Sequence, residues 1–295
     1  QNDIDQARPY ANYDEESSIS TENSGLYSEF KNKYFTYFIL FLIWLIFIIN
    51  CIINNSINNG YDHFKVLAFK TIKEYPSCDS IRYQFWNLFT NSIIHGNLSH
   101  ILGNTIFLLI FGLFIESIAG YKLIALYFFS GVFGGTLSMA YINRFIFLIG
   151  ASHGIMALNG SILGLALLNY DILNTKMFFA ICIVGTIGLV IDVINHELFY
   201  KNNIGYLGHW MGYTNGLLLS VYFSKIFQKR KWKTYLKITS LNIFIALNFF
   251  LLFDYCYHEY KTNIMDDTFQ KIEFHNCCLD YIKSNFRANF TCSYQ

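Results

Sequence analysis

The chain is short of charge. Asp, Glu, Lys and Arg make up 14% of its 295 residues, against about a quarter in a soluble domain. The charges that are present nearly cancel, leaving a net +1, so no global electrostatic signal points to a nucleic-acid partner. There is no internal repeat, and no low-complexity run beyond the N-terminal stretch. The seven cysteines fit no zinc-binding spacing, and nothing in the sequence calls for a metal or a cofactor. No signal peptide is visible in the polar opening from Gln1 to Glu29. Rich in Ser, Asn, Asp and Glu, that opening reads as a disordered tail.

What the chain has instead is apolar mass: 54% hydrophobic residues and 19% aromatic ones, with thirty Phe and twenty-two Tyr. About 20 apolar residues span a bilayer core. By that measure seven segments qualify, at roughly 35–54, 98–118, 121–141, 152–170, 177–194, 205–224 and 237–255. The first carries no charge from Phe35 to Ile53. The third to sixth are interrupted by Gly, Asn and Ser, as expected of helices packed among other helices, where small residues permit close approach. The predicted fold is an all-α polytopic membrane protein.

Basic residues set the expected orientation. Lys225, Lys229, Arg230, Lys231, Lys233 and Lys237 crowd the segment 225–237 with no acid among them, which places it in the cytosol. Six helices back, the N-terminal tail is then cytosolic too, in agreement with Lys31 and Lys33. The tail from Cys256 onward and the loop 55–97 fall outside. They hold the sequons at Asn289 and Asn54 and the cysteines Cys78, Cys277, Cys278 and Cys292, and glycans and disulfides are expected there. Five of the seven cysteines lie outside on this count, enough for two disulfides of undetermined pairing. The predicted division is a cytosolic tail over 1–33, a membrane domain over 34–225, a basic linker with the seventh helix over 226–255, and an outer Cys-containing tail over 256–295. The loop 55–97, with Phe85, Trp86, Leu88, Phe89, Ile93 and Ile94, is too long for a plain connector and is expected to lie against the membrane interface.

Polar groups inside a bilayer are costly and need an explanation. On this topology the second, fourth and sixth helices run the same way, and polar residues collect at their outer ends. His95, His100 and Asn104 lie on the second, Ser152 starts the fourth and His209 lies near the start of the sixth. His100 and Asn104, four apart, share a face. A nucleophile, a base and oxyanion donors are thus available in one leaflet. No acid is placed to orient His209, so the expectation is a Ser–His dyad; Asp192 reads as interfacial, and Glu116 as contacting a helix terminus or Lys122. Each piece also has a structural reading. Ser152 is in the place of a helix N-cap, His209 in that of a satisfied core histidine, and Asn104 can bind helices together.

His95-Gly96-Asn97-Leu98-Ser99-His100-Ile101-Leu102-Gly103-Asn104 resembles the His-x4-His-x3-Asn segment of the rhomboid intramembrane serine proteases. Gly150-Ala151-Ser152 is similar to their nucleophile motif, and His209-x2-Gly212-x3-Gly216 to their sixth-helix motif. Phe85-Trp86-Asn87-Leu88-Phe89-Thr90 resembles the Trp-Arg motif of their first loop. Together the matches cover about 190 residues, from Phe35 to Ser224. The resemblance implies a six-helix core plus, as in secretory-pathway eukaryotic members, a seventh C-terminal helix. It implies Ser152 as nucleophile, His209 as general base, and His100, Asn104 and the backbone N–H of Ser152 as the oxyanion hole. His95, Gly150, Gly154, Met156, Gly212 and Gly216 would then shape the site, the glycines letting the fourth and sixth helices meet. The implied substrates are single-pass transmembrane proteins cut near the outer leaflet, with the fifth helix (Phe178, Phe179, Ile181, Ile183) as lateral gate. The implied location is a secretory-pathway or plasma membrane. The sequence departs from the family at Asn87, where Arg is usual, at His153, where a small residue is usual, and at Met156, where an aromatic ring is common. The competing readings are an inactive relative that binds membrane clients and a seven-helix receptor, whose N-terminus would face outside.

Overall fold

The computed structural model describes residues 33–57, 67–70, 85–142, 147–199, 205–225 and 230–262. The N-terminal tail, Cys78, Lys229 and the outer tail with Asn289, Cys277, Cys278 and Cys292 lie outside the described residues. Among the described residues, regular structure is helical apart from a two-residue antiparallel ladder, β1 (Phe69–Lys70) with β2 (Phe147–Leu148). In chain order the helices are α1 (Tyr34–Asn54), the short α2 (Asn87–Thr90), α3 (Leu98–Phe107), α4 (Leu113–Ile142), α5 (Ser152–Leu168), α6 (Thr175–Phe199), α7 (Tyr206–Phe223) and α8 (Lys231–Thr262). The protein is a polytopic all-α membrane protein. Large apolar side chains such as Phe41, Ile52, Ile183 and Phe249 stand exposed around its circumference, where in water they would be uncompensated.

Among the described residues, four segments are long and apolar enough to cross a membrane: Tyr34–Asn54, Leu98–Ile142, Thr175–Asp192 and Lys231–Cys256. The second is two spans in one. α3 runs through a π-helical turn, Leu108–Gly112, into α4, and Gly120 then breaks the path at φ +78°, a conformation open to glycine. The break falls between the second and third predicted helices. α5, a shorter apolar helix of 17 residues, and α7 complete the seven.

α1 shows how an apolar helix is fixed in place. No side chain of its own caps its start. Instead Glu116 reaches across from α4 and accepts from Phe35 N–H at 2.8 Å, Thr36 N–H at 2.9 Å and the Thr36 hydroxyl at 2.6 Å. A carboxylate there satisfies free amides and meets the positive end of the helix dipole. Glu116 therefore contacts a helix terminus, one of the two expected partners.

α5 is the hub: nearly every residue from His153 to Ala166 is buried or half-buried between α4, α6 and α7. Its contact with α7 is a seam of small residues. A Cβ at Gly216 would collide with the Ala157 carbonyl, one at Gly212 with that of His153, and one at Gly160 with that of Tyr213. Backbone thus lies against backbone, as expected for the fourth and sixth helices. At 17 residues α5 is about 25 Å long, less than the ~30 Å hydrocarbon core.

α8 differs from expectation at its start. It begins at Lys231, six residues before the predicted 237, because its first basic residues are part of the helix. Lys233 is fully buried and donates to Asp171 in the α5–α6 loop at 2.6 Å, with Arg230 3.6 Å from the same carboxylate. Lys237 donates to the carbonyl of Ser224 at the end of α7, at 2.6 Å. Deeper in, Asn215 and Asn248 exchange two amide hydrogen bonds at 3.0 and 2.9 Å, and Asn215 also donates to the Ser130 carbonyl at 2.8 Å. The seventh helix is held to α7 by polar groups that hydrocarbon would leave unpaired.

Candidate active site

The backbone first makes a turn. Gly150 sits at φ +118°, where an L side chain is strained. A Cβ there would lie 2.6 Å from His100 Nε2 and 3.6 Å from Asn104 Nδ2. Gly150 N–H donates to the Asn91 carbonyl at 2.8 Å, and Asn91 in turn donates to Thr136 of α4 at 3.0 Å. The first loop thereby fixes the turn that delivers Ser152. Within it Leu88 is buried and Phe89 stacks on Phe133 at 5.6 Å, while Phe85 and Trp86 stay exposed. Asn87, in place of the usual Arg, is buried, its side-chain oxygen accepting from the Thr90 hydroxyl at 3.3 Å.

Ser152 is the first residue of α5, and the capping position belongs to Ala151, with no side-chain cap. The N-cap reading of Ser152 thus falls. Its Oγ lies 2.8 Å from His209 Nε2, across the α5–α7 seam. The first amides of α5 have no intrahelical acceptor and point toward the turn. His100 and Asn104 face Gly150 from α3, and Asn104 Nδ2 is buried without a hydrogen-bond partner. His95 is fully buried, edge-on to His100 at 5.0 Å. Gly154 carries no side chain because the Phe128 ring fills that space.

One residue corrects the sequence reading. Asp192 is not interfacial: it is 8% exposed, and its Oδ1 lies 2.6 Å from His209 Nδ1. An acid is therefore placed on His209, contrary to expectation. Ser152, His209 and Asp192 come from three helices that meet at one end of the bundle. The Met156 thioether packs over Gly188 of α6. His153 is buried with its ring in the groove between Gly135 and Gly208, edge-on to His209 at 5.5 Å. Among the described residues no group of three or more His, Cys, Asp or Glu side chains is arranged to hold a metal.

Comparison with known proteins bears on the same region. A family model described as the Rhomboid domain matches residues 82–226, which hold the first-loop motif, His95, His100, Asn104, Ser152 and His209. The chain belongs to the rhomboid family. RHOMBOID-like protein 1 of Arabidopsis thaliana is 29% identical over 144 residues, 48% of this chain and 35% of that protein. RHOMBOID-like protein 4 of the same plant is 28% identical over 134 residues, 45% of this chain and 33% of its own length. Rhomboid-related protein 2 of Mus musculus is 28% identical over 83 residues, 28% of each chain. The matches thus span about a third of the length of these curated relatives. In this rhomboid protein the matched segment ends just beyond α7, so α8 lies outside it.

Proposed function

We propose that this rhomboid protein is an intramembrane serine endopeptidase that cleaves single-pass transmembrane proteins. The observation that carries the reading is the 2.8 Å contact between Ser152 Oγ and His209 Nε2, made at the start of the buried helix α5. His209 takes the Ser152 proton as Oγ attacks the scissile carbonyl. The buried, unpartnered amide of Asn104 and the first amides of α5 are placed to receive the oxyanion, with His100 beside them. His209 then protonates the leaving amine, and water resolves the acyl-enzyme. A substrate helix must unwind locally, because a helical carbonyl is already hydrogen-bonded. Lys225, Arg230, Lys231, Lys233 and Lys237 lie at the opposite end of the bundle from Ser152, so the positive-inside rule puts the cut near the outer leaflet, with the N-terminus in the cytosol.

The test is cleavage of a single-pass reporter by the reconstituted protein and by Ser152→Ala. Removing the nucleophile should lower kcat/KM at least ~100-fold, and His209→Ala should match it. Equal cleavage by wild type and Ser152→Ala would refute the serine mechanism, and no cleavage by the wild type would leave client binding without proteolysis as the function.

A further inference from the structure

His209 has two ring nitrogens, and only one faces Ser152. To take the serine proton, Nε2 must be unprotonated, so the single proton of the neutral ring must sit on Nδ1. Asp192 Oδ1 is 2.6 Å from that nitrogen. An ionised carboxylate there accepts the Nδ1 proton as a hydrogen bond, selects the productive tautomer and fixes the ring plane. We infer that Asp192 is the positioning acid of His209, which makes the site a Ser152–His209–Asp192 triad and not a dyad. The inference rests on the hydrolase reading above.

The surroundings of Asp192 favour this role over a purely architectural one. A carboxylate 8% exposed carries a desolvation cost that structural sites offset with several donors or a cation. Here His209 is the ion-pair partner that the described residues supply, and Asp192 Oδ2 is buried with no donor. The groups around His209 are otherwise Ser152, His153 edge-on from α5, and the imidazole of His100 on α3. None of them can accept the Nδ1 proton while Asp192 occupies that side. α6 has other means of attachment. The Asn159 amide donates to the Val184 carbonyl at 2.7 Å and the Tyr213 hydroxyl to that of Gly185 at 2.8 Å, so Asp192 is not needed simply to hold the helix.

The proton balance follows directly. As the Oγ–carbon bond forms, the serine proton passes to Nε2 and the ring becomes a cation between oxyanion and carboxylate. As the carbon–nitrogen bond breaks, that proton leaves with the amine. Asp192 keeps its charge throughout and holds the Nδ1 proton in place.

The test compares wild type, Asp192→Asn, Asp192→Glu and Ser152→Ala, each as the full chain in proteoliposomes. Asn is nearly isosteric but can present its amide N–H to Nδ1 and stabilise the wrong tautomer. Asp192→Asn should therefore lower kcat by ~100-fold or more, with KM for the reporter within about 3-fold, and slow fluorophosphonate labelling of Ser152 by a similar factor. Asp192→Glu, which keeps the charge on a longer arm, should recover part of both. Proton NMR of the wild type, with histidine nitrogen labelled, should show a far-downfield Nδ1 proton on His209. Unchanged kcat in Asp192→Asn, a change confined to KM, or increased cleavage would overturn the inference, the last two marking Asp192 as a contact that only seats α6. Absence of the Nδ1 proton in the wild type would overturn it whether or not the variants fold. If Ser152→Ala cleaves normally, the hydrolase reading itself fails. If it is inactive while Asp192→Asn is not, only the acid is lost.

Discussion

Adding one methyl group at Gly216 separates two physical effects of opposite sign. In an isolated helix, Gly→Ala is stabilising by about 1 kcal/mol. In α7 the new Cβ would overlap the Ala157 carbonyl oxygen of α5, with the carbonyl carbon 2.5 Å away. Neither is the flexible end of a side chain, so the helices must part by roughly 1–2 Å to regain an ordinary contact near ~3.5 Å. Overpacking of that kind costs about 1–3 kcal/mol, which outweighs the propensity gain. The same seam carries the 2.8 Å bond between Ser152 and His209. A retreat of about 1 Å takes that bond beyond the ~3.2 Å limit for a good hydrogen bond, and a misplacement of this size is worth about 100-fold in rate. Gly216→Ala should therefore unfold at lower temperature in detergent and cleave the reporter about 100-fold more slowly in proteoliposomes. Gly103→Ala is the matched control. No atom lies within 4 Å of its Cβ position, so the propensity gain of up to about 1 kcal/mol stands alone and cleavage is unchanged. A Gly216→Ala protein as stable and as active as the wild type would refute the claim that backbone contact along this seam sets the distance between nucleophile and base.

Asn104→Ala should cost about 2.7–4 kcal/mol in transition-state stabilisation, the usual worth of one oxyanion donor, and lower kcat with little effect on KM; full activity would remove Asn104 from the hole. A double-mutant cycle on Asn215→Leu and Asn248→Leu should give a thermal-stability coupling of about 0.6–1.7 kcal/mol, the range for hydrogen bonds between membrane helices, and zero coupling would show that α8 is held by other contacts. The hydrogen bond from Lys233, helped by the charges of Lys233 and Arg230, holds the Asp171 carboxyl below its ordinary range. A lowered acid pKa stabilises fully above the unfolded value near ~4 and is lost as pH falls through the folded value. Wild type should thus melt higher than Asp171→Asn at neutral pH, and the two curves should converge in acid.

The sequence was most readable where polarity and apolar context disagreed. Ser152, His209, His100 and Asn104 stood out as polar groups in lipid-length segments, and the glycines at 212 and 216 declared a close helix contact. The break at Gly120 was legible as a gap between two apolar runs. Asp192 was missed because it precedes His209 by 17 residues on another helix, near an end where acids commonly meet water. The signal was there in Leu189-Val190-Ile191-Asp192-Val193-Ile194, an acid with apolar neighbours on both sides, which is a functional candidate by default in a membrane helix. The start of α8 was misread for a different reason. Lysine signals a cytosolic linker by charge, yet it is a good helix former, and only the tertiary pairing with Asp171 shows why Lys233 can be buried.

The reciprocal amides of Asn215 and Asn248 also bear on the order in which the protein is assembled. A chain is made from its N-terminus, so α7 enters the membrane before its partner, and Asn215 waits 33 residues for Asn248. Until then one of the polar groups on the helix that carries His209 lacks its lasting mate. Ser152, 57 residues ahead of His209, enters before α7 brings the base. The helix bearing His209 gains this polar anchor only when α8 arrives. In the proposed hydrolase, the helix that carries the base is thus fully anchored only after α8 has followed it into the membrane.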